Sequence, residues 1–227
     1  MIHSPFALFR PFQKQFSVAI FSKSDDIRDD ATAAKALTAT QAAGLWQMHG
    51  NRTVIVRGAS NRTEQADGMI TDTPGLALCT RWADCQNFVI YEPKRNVCGV
   101  LHAGWRGLIA GAIPEFFRVL KKEFLIEPSE TFVGAGPSLC QKCADFTDPA
   151  HELPSIPKNF VDGRCVDLRG AAETQLFELG VRQDHFERHP DCPRCSPGTW
   201  WSYRGGDREA VKKGHTNMLG GLLTDIY

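Results

Sequence analysis

The sequence predicts an α+β chain folded as a single domain, residues 1–227, in which short strands outnumber helices. Three observations point there. Short β-branched or aromatic runs, bounded by turn residues, recur along the chain. Helical signals are confined to a few stretches, without the regular alternation of a doubly wound sheet. The composition, 42% apolar and 23% charged over 227 residues, is that of a globular protein. A chain of that length buries roughly 70% of its unfolded surface.

In order, residues 16–21 read as a first strand. The stretch before them is broken by Pro5, Arg10, Pro11 and Lys14, so it lacks the apolar core of a secretory signal. The first acidic residue is Asp25, a trait shared with organellar transit peptides, but the phenylalanines fit a buried strand better. Residues 25–43 read as a helix, its acidic start (Asp25, Asp26, Asp29, Asp30) suiting the positive end of a helix dipole and Gly44 ending it. Residues 53–56, 69–73, 76–80, 88–91 and 97–101 read as strands separated by turn residues. Residues 106–125 show apolar side chains at helical spacing, with a kink or split expected at Pro114. Residues 131–135 are another strand, 148–163 an irregular excursion, and 167–179 a second good helix closed by Gly180. Residues 184–187 and 200–203 are read as strands.

Chemistry concentrates between residues 65 and 107. Ala83-Asp84-Cys85 lies between two strands, and His102-Ala103-Gly104-Trp105-Arg106-Gly107 lies between a strand and a helix. A strand end exposes its side chains, and a helix start offers free N–H groups to anions. Taken singly, His102 and Cys85 fit structural roles as well as functional ones. With His49 they make three soft or borderline ligands.

The segments QMHG, ADG, ADCQ and HAGWRG, in that order, resemble the signature of the laccase-domain family, also described as multicopper polyphenol oxidases and as purine nucleoside phosphorylases. The resemblance is strongest from Gln47 to about Gly136, and CPRC and WWSYR resemble the family's closing motifs. It implies a layered α/β/β/α fold with mixed β-sheets. It implies a metal site on His49, Cys85 and His102, zinc rather than copper, with phosphate as co-substrate. The activity implied is phosphorolysis of adenosine, inosine or methylthioadenosine, with adenosine deamination as a second activity. Under that reading Cys85, His102, Asp84 and Arg106 are catalytic, and Gln47, Asp67, Arg106, Tyr203 and Arg204 bind substrate. Arg106 is the phosphate candidate. Asp84 and Asp67 either orient a ligand or exchange protons. The N-terminal segment 6–26, the Ala34-Lys35 pair and Gly214-His215 depart from the family pattern, which points to divergent specificity.

Other readings stay open. One is a cysteine hydrolase with Cys85 as nucleophile and His102 as base. Another is a copper-dependent polyphenol oxidase, with Met48 beside His49 as a candidate axial neighbour. A third is a metal-dependent interaction module. Cys140-x-x-Cys143 and Cys192-x-x-Cys195 form two Cys-x-x-Cys pairs, read either as a structural zinc site or as independent thiols. Cys79, Cys98 and Cys165 read as packing residues. Lys+Arg and Asp+Glu each number 26, so the chain has no electrostatic footprint for nucleic acid or an acidic membrane. No apolar run reaches the ~18 residues of a membrane span. The expected partners are a small-molecule nucleoside and phosphate, with no nucleic acid and no membrane. The expected setting is cytoplasmic, with reduced thiols, and the oligomeric state stays open between monomer and homodimer.

Overall fold

Two mixed β-sheets lie face to face between helices in the computed structural model, which describes residues 1–224. In chain order the strands and helices are β1 (Ile2–His3), β2 (Phe16–Phe21), α1 (Asp30–Ala36), β3 (Gln41–Gly44), β4 (Thr53–Ile55), β5 (Gly68–Thr71), β6 (Leu76–Trp82), β7 (Gln86–Glu92), β8 (Val97–Ala103), α2 (Trp105–Ile109) and α3 (Ala112–Phe124). Then come β9 (Phe132–Ala135), α4 (Pro149–Glu152), β10 (Val161–Asp162), β11 (Cys165–Val166), α5 (Leu168–Glu178), β12 (Phe186–Arg188), α6 (Arg208–Lys212) and β13 (Asn217–Leu223). One sheet has the order β1-β2-β13-β6-β3 and the other β12-β9-β7-β8-β5-β4, while β10 and β11 form a separate hairpin.

Side-chain parity sorts the strands into layers, because successive residues point to opposite faces. In β7 and β8, Val89, Tyr91, Cys98 and Val100 enter the core between the sheets. Phe88, Ile90, Val97 and Leu101 face α3 and α5. In the other sheet Phe16, Val18, Ile20, Leu76 and Leu78 face inward, while Ala19, Phe21, Ala77 and Cys79 pack against α1. The expected α/β/β/α layering follows from this sorting. The first phenylalanines belong to the inter-sheet core: Phe6, Phe9 and Phe16 are buried, and Phe16 stacks on Tyr91 at 4.4 Å. Among the described residues no helix is long and apolar enough to cross a membrane.

Several elements depart from the sequence reading. The helix expected over 25–43 is confined to Asp30–Ala36: the Asp29 carboxylate accepts from the Thr32 N–H at one end, and Thr38 turns left-handed (φ 63°) beyond the other. Gly44 does not end that helix; it closes β3, which runs parallel to β6. The helix expected over 106–125 splits at Gly111 (φ 79°), not at Pro114. Pro114 lies in the first turn of α3, where its missing N–H costs no hydrogen bond. Residues 200–203 form no strand: the Trp201 N–H goes to Asn217 Oδ1 and the Ser202 N–H to the Asp207 carboxylate, side chains that take the place of a neighbouring strand. The strand that completes the sheet is β13, hidden in the sequence by Gly220-Gly221. Cys79 and Cys98 are buried as expected, but Cys165 is only half-buried, on the short β10–β11 hairpin.

The core between the second sheet and the helices centres on Phe116, which is fully buried. A Cβ added at Gly99 would come within 2.6 Å of its ring, so β8 has a glycine where α3 presses on it. Phe116→Ala is expected to lower unfolding free energy by roughly 3–5 kcal/mol. Urea denaturation followed by circular dichroism measures this, and a loss below about 1 kcal/mol would remove Phe116 from the centre of that core.

Candidate metal and substrate site

Three chain segments converge at one end of the inter-sheet core. The turn between β6 and β7 brings Asp84 and Cys85, with Asp84 in a left-handed conformation (φ 87°). The end of β8 brings His102, which shares the inward parity of Cys98 and Val100. The loop between β3 and β4 brings His49, also left-handed (φ 59°). One ligand atom from each of His49, Cys85 and His102 lies within 4.8 Å of the others. The two imidazoles meet edge to face, 4.8 Å between centroids. Gly104 makes room for them, since a Cβ there would come within 2.8 Å of Cys85 Sγ and 3.3 Å of His49 Cδ2.

Asp67 ties the cluster together from behind. Its carboxylate accepts from the backbone N–H groups of Met48 (3.2 Å), His49 (2.9 Å) and Gly50 (2.7 Å). It also accepts from His102 Nδ1 at 2.9 Å, which leaves Nε2 of that ring for the cluster. Burial alone would raise the Asp67 carboxyl; the His102 and backbone donors outweigh it and hold the group below the usual carboxylate range. Burial likewise opposes the charged forms of Cys85 and His102. Their mutual attraction wins, aided by His49 for the thiol and Asp67 for the imidazole. The Cys85 thiol falls to about 6 and the His102 imidazole rises to about 9, an ion pair in the metal-free protein.

These side chains form the floor of a cleft of about 550 Å³, within the roughly 300–1,000 Å³ of small-molecule sites. Arg106 lines it with its guanidinium 4.3 Å from the centre of the Trp105 ring. Tyr203 and Arg204 also line it, with Arg204 stacked 4.8 Å over Phe146, whose ring meets Trp105 edge to face at 5.8 Å, and bonded to the Asp145 carbonyl. Asp84 is on the wall, where its carboxylate accepts from Ser202 Oγ (2.6 Å) and the Arg204 N–H (2.7 Å). Burial raises the Asp84 carboxyl above its usual range despite those donors.

The structure therefore gathers Cys85, His102, His49, Asp84, Arg106, Gln47, Tyr203 and Arg204 around one cleft. Asp67 stands apart from the others: it is buried behind the histidines and reaches a substrate only through them. Gln47 borders the cleft, but both ends of its amide serve the Arg81 backbone, at 2.7 and 2.9 Å. Sequence reasoning missed Arg81, Trp82, Trp105, Leu139, Leu168, Val211 and Thr216, which complete the lining. Trp105 was within reach, between Gly104 and Arg106 in the motif. Arg81 and Trp82 directly precede Ala83-Asp84-Cys85 at the end of β6, whereas Leu139, Leu168, Val211 and Thr216 arrive from distant segments and carry no local signal.

Residues 23–219 match the model of the family described as multi-copper polyphenol oxidoreductase laccase. The chain is 28% identical over 148 residues to a protein named purine nucleoside phosphorylase YlmD from Geobacillus stearothermophilus, covering 61% of this chain and 54% of that one. It is 27% identical over 177 residues to a protein named adenosine deaminase RL5 from an unknown prokaryotic organism, covering 72% and 63%. The chain thus spans about half to two thirds of the length of these relatives. The crystal structure of YlmD from Geobacillus stearothermophilus superposes with a TM-score of 0.78 at 21% identity, covering 96% of this chain and 94% of that one, and so shares its fold.

The ion pair sets a pH signature for chelator-treated protein. Because the Cys85 thiol lies low, its reactive thiolate persists above about pH 6 and is lost as pH falls through that value. Iodoacetamide, with labelled peptides identified by mass spectrometry, should modify Cys85 with a midpoint near pH 6. Cys79, buried and pushed up to about 12, should stay unlabelled at pH 8. A midpoint near the ordinary thiol value would contradict the pairing.

Proposed function

The chain belongs to the multi-copper polyphenol oxidoreductase laccase family, and within it we propose a zinc-dependent purine nucleoside enzyme that cleaves nucleosides with phosphate. The observation that carries this reading is the convergence of His49, Cys85 and His102 in a cleft that Arg106 and Arg204 also line. Relatives named purine nucleoside phosphorylase and adenosine deaminase support the substrate class.

The donor set fits zinc. Two imidazoles and a thiolate would be three protein ligands, the number that in catalytic zinc sites leaves room for substrate or water. The Asp67–His102 pair is the carboxylate–histidine arrangement that fixes a ligand ring and its tautomer. A bound zinc ion supplies Lewis acidity toward a substrate oxygen or a water molecule. For several coppers more histidines would be needed. Among the described residues the other group of potential ligands is all cysteine, and Met48, the candidate axial neighbour, is 52% exposed.

Each of the chain's own groups has a task in phosphorolysis. Arg106, braced on Trp105, binds the phosphate dianion, with Arg204 as the second cation at the rim. Trp105, Leu139, Leu168 and Tyr203 give the purine an apolar slot. Asp84, whose burial favours its protonated form, is the group suited to give a proton to the departing base. Adenosine deamination is a second use of the same floor, since attack on a purine carbon is established zinc chemistry. Adenosine, inosine and methylthioadenosine are the nucleosides this reading admits, and reduced thiols suit a cytoplasmic setting.

The test is phosphate-dependent release of adenine from adenosine by zinc-loaded protein, alongside Cys85→Ala and His102→Ala. Each variant should lose zinc from this site and at least on the order of 100-fold in kcat/KM. Variants that keep both metal and activity overturn the proposal. Full activity after chelation, abolished by alkylation, would favour the cysteine hydrolase. Ammonia in place of adenine would make deamination the main reaction, and stoichiometric copper with a visible band would favour the oxidase.

A further inference from the structure

A second cluster of thiols lies away from the floor of the cleft. Cys140, Cys143, Cys192 and Cys195 bring four sulfurs within 4.8 Å of one another. Cys195 Sγ is 3.5 Å from Cys143 Sγ and 3.8 Å from Cys140 Sγ. A tetrahedral zinc with Zn–S bonds of about 2.3 Å places its sulfurs roughly 3.8 Å apart. The two Cys-x-x-Cys turns also share one backbone form. The N–H groups of Cys143 and Ala144 bond the Cys140 carbonyl at 3.0 and 3.1 Å, and those of Cys195 and Ser196 bond the Cys192 carbonyl, both at 3.0 Å. Such paired turns, each offering two thiolates from one side, are the usual frame of a closed structural zinc site. Cys143 and Cys192 are buried and Cys195 is exposed, so the site is anchored in the core and open to metal from solvent.

We propose that these four cysteines bind one structural zinc ion, which fastens the segment after β9 to the segment before the cleft rim. Both segments end on the same catalytic-cleft residue. Leu139, next to Cys140, donates its N–H to the Asp84 carbonyl at 3.1 Å. Ser202 and Arg204, downstream of Cys195, donate to the Asp84 carboxylate. The metal thereby holds the two sides of the Asp84 wall in register without touching substrate. Binding displaces the thiol protons to solvent and requires no redox partner.

The test uses the full chain, purified in reductant, loaded with zinc and desalted, with metal counted by mass spectrometry. Wild type should hold two zinc ions and Cys85→Ala one, released when a mercurial titrates the remaining thiols. Cys140→Ser with Cys195→Ser should lose that ion, and Cys165→Ser should keep it. Folded Cys85→Ala loaded with cobalt should show the intense thiolate charge-transfer bands of a tetrahedral sulfur site, which decides the matter even where the double variant fails to fold. Absence of both zinc and those bands from Cys85→Ala overturns the proposal, as does a mass loss showing disulfides among these cysteines. One zinc in wild type and one in Cys85→Ala would instead sink the His49–Cys85–His102 reading alone.

Discussion

A single buried carboxylate organises the site. Asp67 is sealed from solvent, yet it is held ionised by four N–H donors, three of them consecutive amides of the loop that carries His49 and the fourth the ring of His102. A buried charge is tolerable only when its hydrogen bonds are made. Those bonds leave the loop little freedom, and His49 accepts a left-handed backbone as part of the arrangement. The Asp67 carbonyl also accepts from the His102 N–H at 2.8 Å, so backbone and side chain fix the same partner. Removing this carboxylate would free both histidines at once.

The layered fold supplies the frame on which that interaction acts. Strand parity directs His102 toward the space between the sheets, and β7 begins just after Cys85. The cleft opens where the inter-sheet core ends, so its floor is polar and its walls are inherited from the core. The rim comes from elsewhere, from the segments around Leu139 and Ser202, and both are tied to Asp84. Floor and rim are thus positioned by different carboxylates, Asp67 held low and Asp84 held high.

Much of this was legible in the sequence, but unevenly. The strands from β4 to β9 were readable because each is a short apolar run with turn residues at its ends. The helix at α5 was readable from Asp167 and Gly180, its start and stop. The first helix was overextended because an alanine-rich, charged stretch has helical propensity, whereas pairing with β6 turned its last residues into β3. The last strand was missed because Gly220-Gly221 weakens any strand signal, and only its neighbours β2 and β6 make it one. In the site, His49, Cys85 and His102 were recognisable through their motifs. The role of Asp67 was half legible: orienting a ligand was one of the roles open to it, but a carboxylate that binds from behind looks in sequence like one that faces substrate. Val211 and Thr216 reach the cleft through tertiary structure alone.

The most direct measurement is anomalous diffraction at the zinc edge from zinc-soaked crystals of the full chain. A peak bonded to His49, Cys85 and the Nε2 atom of His102, with Nδ1 of that ring still on Asp67, is the expected result. Distances should be about 2.0–2.1 Å to nitrogen and about 2.3 Å to sulfur. No peak at this cluster under saturating zinc, or a metal bound through His102 Nδ1 with Asp67 released, would contradict the assignment of Asp67 as the residue that builds the site.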